Sequence, residues 1–167
     1  LYGKGMYRHF LGPTYYSFNH SRIHFIALDT VDVDDLWYYG HVDEAQLAWL
    51  ERDLAHVPPG TTVVTFNHIP FVSAAPTLGG YSEEGPGRTT ITVKGRTVFR
   101  HTVSNAQDVL KRLSAYRHTL ALGGHVHLRE QIRFESDRLR TRFHQTAAVV
   151  GPGGGETPMT SGVTLNR

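Results

Sequence analysis

Two turns in this chain carry imidazoles at the point where a short apolar run stops: Asn67-His68-Ile69-Pro70 and Gly123-Gly124-His125-Val126-His127. The runs before them, Thr62-Val63-Val64-Thr65-Phe66 and Thr119-Leu120-Ala121-Leu122, are β-branched or aliphatic and too short for helices, so they read as buried parallel strands. Open α/β sheets hold their ligands at the carboxyl ends of such strands. Imidazoles delivered to one rim by two separate strands suit a divalent metal, which makes His68, His125 and His127 candidate ligands. In extended backbone His125 and His127 would face the same side, and the two glycines before them permit a sharp turn and close backbone approach. An isolated His-x-His pair is more often a surface or core pair, but the position after Gly-Gly at a strand end favours ligation. Pro70 forces an extended turn after His68; the alternative for that ring is to cap its own loop. Asn67 is expected to hold the turn through its side-chain amide.

The elements that must position these residues follow from pattern. Tyr15 to Phe18 and Ile23 to Leu28 read as a hairpin whose second strand is buried on both faces and ends at Asp29-Thr30. Val42-Asp43-Glu44 opens a helix with Leu47, Leu50 and Leu54 on one apolar face and Trp49 beside them, closed by Pro58-Pro59-Gly60. A helix between two such strands is a βαβ unit of a parallel sheet. Ser73 to Arg88 reads as a long loop, followed by a small hairpin, Thr89 to Val93 and Arg96 to Phe99, around Lys94-Gly95. Ser104 with Gln107 three residues on has the form of a capping box for a helix carrying Val109, Leu110 and Leu113 to about Tyr116. Arg129 to Phe134 and Leu139 to Val150 read as antiparallel strands about Ser136-Asp137, and Gly151 to Gly155 as loop.

Composition narrows the chemistry. At 167 residues the chain is long enough for one domain with a real core. A formal charge of +2, from 14 scattered arginines and three lysines among its cations, gives no nucleic-acid patch. Cysteine is absent, so disulfides and thiolate ligands are excluded, and imidazole, carboxylate, amide or water must hold any ion. That donor set suits zinc, manganese or iron. No apolar run is long enough for a membrane-spanning helix.

Read together, the motifs resemble the calcineurin-like metallophosphoesterases across nearly the whole chain. Gly12-Pro13-Thr14-Tyr15-Tyr16-Ser17-Phe18, Phe25-Ile26-Ala27-Leu28-Asp29-Thr30, Gln46-Leu47-Ala48-Trp49-Leu50, Asn67-His68-Ile69-Pro70 and Gly124-His125-Val126-His127 occur in that family's order, and the last two are the specific ones. Ala148 to Gly151 and Met159 to Val163 resemble, more weakly, the closing segment of exported bacterial members. The resemblance implies an α/β fold, a partial four-layer sandwich of two mixed β-sheets flanked by helices, with residues 1–167 as the carboxyl-terminal portion of a single domain whose amino-terminal part is missing. It also implies two divalent metal ions and a phosphate-ester substrate. His68 and His125 look like ligands of the second metal and His127 like a ligand of the first. The family's Asp-x-His, bridging Gly-Asp and Gly-Asn-His-Asp/Glu turns do not occur here. They lie upstream in the family, which agrees with a chain that starts without Met inside a loop and reads as a fragment. The parent protein is expected to be an exported hydrolase, and the fragment to bind metal weakly and lack the bridging and protonating groups. The rival expectation is a degenerate, noncatalytic module; a third is a mononuclear zinc hydrolase built on His68, His125 and His127 alone.

Other residues carry less. Asp29 ends a strand and could be read as a carboxylate ligand, but the resemblance implies that it supports the rim. Asp32, Asp34 and Asp35 are expected to form a solvated turn, since they lack the glycine and closing glutamate of a calcium loop. Arg88 reads as a solvated loop arginine rather than a phosphate ligand, and Gly151 to Gly155 lacks the Lys-Ser/Thr of a phosphate loop. His9, His20, His24, His41, His56, His101, His118 and His144 show no spacing to a partner and default to surface or core.

Overall fold

The computed structural model describes residues 3–78, 89–137 and 139–146. Its frame is a mixed six-stranded sheet in the order β1 (Tyr16–His20), β2 (Ile23–Leu28), β5 (Thr62–Asn67), β8 (Arg117–Gly123), β10 (Arg140–Gln145) and β9 (Glu130–Glu135). The four inner strands run parallel and the two edge strands antiparallel to their neighbours. The chain is therefore α/β, with the expected buried parallel strands at β5 and β8. Two small antiparallel ribbons complete the strands, β3 (Val31–Asp34) with β4 (Trp37–Gly40) and β6 (Thr90–Val93) with β7 (Arg96–Phe99). Among the described residues no helix is long and apolar enough to cross a membrane.

Helices α2 (Glu44–Leu54) and α4 (Ala106–Leu113) cover one sheet face. Leu47, Leu50 and Leu54 meet Val109 and Leu113 over Ile26, Leu28, Val63, Ala121 and Phe143, which is the core that fixes the sheet. The Asp43 carboxylate accepts from the Gln46 amide at 2.8 Å and starts α2 where the sequence places it. The β1–β2 turn is tighter than expected. Asn19 and His20 still pair in the ladder, leaving Ser21 and Arg22 at φ 49° and 66°, the left-handed pair that a two-residue hairpin requires.

Three local expectations are corrected. Ser104 does not cap α4: its hydroxyl accepts from the Phe99 amide at 2.8 Å, and Asn105 stands at the N-cap. The Asn105 amide group instead clamps Val42, accepting from its N–H at 3.0 Å and donating to its carbonyl at 2.7 Å. Asp32 and Asp34 lie in β3 rather than in a turn, and Asp32 accepts from the Val33 amide and the Tyr39 hydroxyl. The ribbon they belong to escaped the sequence reading because Val31-Asp32-Val33-Asp34 has too little apolar content beside its charge. Two short helices, α1 (Gly5–Leu11) and α3 (Ala75–Leu78), were likewise unexpected. Arg88, Gly151 to Gly155, the weaker closing motif and the end of the strand expected to reach Val150 lie outside the described residues.

Candidate metal centre

The rim is built from the carboxyl ends of β5 and β8, which lie side by side with Phe66 opposite Leu122. Just past these ends the Gly124 amide donates to the His68 carbonyl at 3.0 Å, tying one histidine turn to the other. The Asn67 amide donates to the Ile69 carbonyl at 2.5 Å, the role expected of it, and the Ile69 amide donates to the Thr30 hydroxyl at 2.9 Å. Asp29, just past β2, is held by Lys4, which lies 2.6 Å from its carboxylate, and by the buried Gln46 side chain, which bonds both its N–H and its carbonyl.

This scaffold brings His68 and His125 together. His68 Nε2 stands 3.3 Å from His125 Nδ1, with ring centroids 5.1 Å apart. Two imidazole nitrogens on one tetrahedral zinc, each about 2.0–2.1 Å from the ion, are themselves about 3.3 Å apart. The pair therefore fits as two ligands of one ion. Partial shielding from water by the rim, and then the nearby His127, lower the His68 pKa although the ring stays partly open to solvent. Burial first, then His68, His101, His127 and Arg100, push His125 down to about 3. Both rings are thus held neutral, the form in which imidazole binds metal.

His127 is placed differently. It is exposed on the same turn and near enough to perturb both rings, yet no hydrogen bond joins it to either. Among the described residues no three histidine, aspartate or glutamate side chains surround a common point suited to an ion. The backbone of this turn is not extended. His125 and His127 have φ of 67° and 53°, and the Val126 amide donates back to the Gly124 carbonyl at 2.7 Å. The turn is coiled, so the same-side argument from extended backbone does not apply. Nor do the glycines make the turn, which is bent at the histidines themselves. Gly123 serves by close approach, since a Cβ there would lie 3.0 Å from Pro70 Cβ.

The residue that sequence reasoning missed is His101. Buried at 8 % exposure, it sets its Nδ1 2.9 Å from His125 Nε2, the rings stacked with an interplanar angle of 24°. Tyr38 meets His125 edge-on at 5.3 Å, and the Arg100 guanidinium lies 4.6 Å above the Tyr38 ring. His101 arrives here because its segment docks against two others. The Val103 amide donates to the Pro70 carbonyl and the Ser104 amide to the Gly40 carbonyl. No spacing in the sequence records that docking. The imidazoles thus form a graded row, from exposed His68 through half-buried His125 to buried His101. Compared with protein-family models and with curated proteins, the chain has no match.

Proposed function

We propose that the chain is the carboxyl-terminal part of a calcineurin-like metallophosphoesterase domain, in which His68 and His125 hold one divalent ion and His127 contributes to a second. The observation that carries this reading is the 3.3 Å separation of two neutral imidazole nitrogens at adjacent parallel strand ends. The separate position of His127 agrees with a ligand of the other ion. Zinc, manganese and iron all suit these donors.

A second feature supports the sandwich fold. The sheet face opposite α2 and α4 carries Tyr16, Phe18, Phe25 and Phe66 in mutual ring contact, with Tyr16 and Phe18 exposed. An aromatic face of that kind is what a second sheet would cover.

In the parent protein, divalent ions held by these residues would supply Lewis acidity toward water and a phosphate ester. This chain's contribution is to present His68 and His125 unprotonated, fix their rings at ligand spacing and hold His127 on the same turn. The bridging carboxylate and the protonating histidine belong to motifs absent from this sequence, so the chain alone should not turn over substrate. The rival reading is a degenerate module that keeps the fold without the chemistry. Turnover of an aryl phosphate monoester and diester, measured with metal content, distinguishes them. Two ions and hydrolysis only in a form extended upstream through the missing turns support the proposal. No hydrolysis in either form favours the degenerate module, and one tight ion with hydrolysis in the short chain favours a mononuclear zinc enzyme.

A further inference from the structure

We propose that His101 is a positioning residue for the metal site: its Nδ1 accepts a hydrogen bond from His125 Nε2–H and so dedicates His125 Nδ1 to the ion. The inference rests on the reading of His125 as a ligand. A neutral imidazole carries one ring proton, so an acceptor at one nitrogen leaves the other with a lone pair for a metal. Here the two nitrogens have different neighbours. Nδ1 faces His68 at ligand spacing, whereas Nε2 meets His101 Nδ1 at 2.9 Å. With an ion at Nδ1, His125 can bond His101 only with its proton on Nε2, and His101 can accept only with its own proton on Nε2. One bond thereby fixes the tautomer of both rings.

The surroundings fit an orienting role better than a ligating one. The His101 contact is to the far side of the His125 ring from His68, and His101 is buried while His68 is open to solvent. Its segment is pinned where it cannot drift. The bridge of Gly40 with Val103 is so close that a Cβ on Gly40 would lie 2.1 Å from the Thr102 carbonyl oxygen. Tyr38 lies edge-on to both rings, 5.3 Å from His125 and 6.3 Å from His101. Partners of this kind usually change metal affinity by about 10- to 100-fold when removed.

The test is zinc affinity of the full chain, measured by competition with a chelating dye. His101→Leu, which cannot accept, should weaken binding about 10- to 100-fold. His101→Asn, whose amide oxygen can stand where Nδ1 stood, should bind within about threefold of the parent by keeping the acceptor. His125→Ala is the control on the underlying reading. If it binds zinc as the parent does, His125 is not a ligand and both proposals fall. If it loses zinc while His101→Leu retains it, the positioning role alone is overturned. Nitrogen-15 NMR of the zinc-bound parent decides even if His101→Leu does not fold. A proton on His125 Nε2 with zinc at Nδ1 is expected, and zinc at Nε2 would overturn the proposal.

Discussion

Pro70 touches the segments of all three clustered histidines, and it is the residue nearest to a Cβ added at Gly123, which would lie 3.0 Å from Pro70 Cβ and 3.3 Å from Pro70 Cα. Pro70 follows His68 by two residues, Gly123 precedes His125 by two, and the Pro70 carbonyl accepts from Val103, two residues past His101. The candidate site depends on how closely these backbones approach.

Alanine substitutions at three glycines should therefore grade by distance. Gly124→Ala meets nothing nearer than 3.8 Å and should be tolerated. Gly123→Ala must displace Pro70 by a few tenths of an ångström and should cost about 1–3 kcal/mol, the usual range for overpacking. Gly40→Ala collides with backbone at 2.1 Å and should be the most damaging. Chemical denaturation of the three variants checks the order, and equal losses would contradict it.

Left-handed backbone at His127 predicts a second ordering. At φ 53° a β-carbon is strained by roughly 1–2 kcal/mol and glycine is not. His127→Gly should be more stable than His127→Ala by about 1 kcal/mol, while both lose the imidazole. Equal thermal midpoints for the two would argue against the coiled turn.

At α4 the clamp, rather than the capping box, predicts the effect of mutation. Asn105→Ala leaves the Val42 N–H and carbonyl without their partners and should cost about 1–3 kcal/mol, whereas Ser104→Ala removes one bond at an exposed position and should cost less. Urea midpoints in which Ser104→Ala is the worse variant would restore the capping box.

His118 predicts a pH dependence of folding. It is buried between Thr65 and Thr141, 3.0 and 3.3 Å from their hydroxyls, and burial pushes its pKa down to about 4. The unfolded chain takes up this proton near pH 6.5, so unfolding gains a proton between about pH 6.5 and 4. The contribution is complete above about pH 6.5 and declines as pH falls toward 4, by roughly 2 kcal/mol at pH 5. His118→Gln should flatten the stability profile over that window. An unchanged slope would mean that His118 is not held neutral in the fold.

Much of this architecture was legible because periodicity reports burial. Leu47, Leu50 and Leu54 marked α2, and the short apolar runs before His68 and His125 marked two adjacent parallel strands. What was illegible depended on contacts distant in sequence. Ser104 and Gln107 matched a capping pattern, but the docking of the helix onto Val42 gave the cap position to Asn105. His101 had no spacing signal because Gly40 and Pro70, 61 and 31 residues before it, bring it to His125. The expectation for His125 and His127 assumed extended backbone, whereas both residues lie at positive φ in a coiled turn.

Whether His68 and His125 share one ion is read most directly by X-ray absorption of the chain loaded with one equivalent of zinc. Two imidazole ligands at about 2.0 Å are expected, with one lost in His68→Ala, one lost in His125→Ala and neither lost in His127→Ala. A zinc shell unchanged by the first two substitutions would contradict a shared ion.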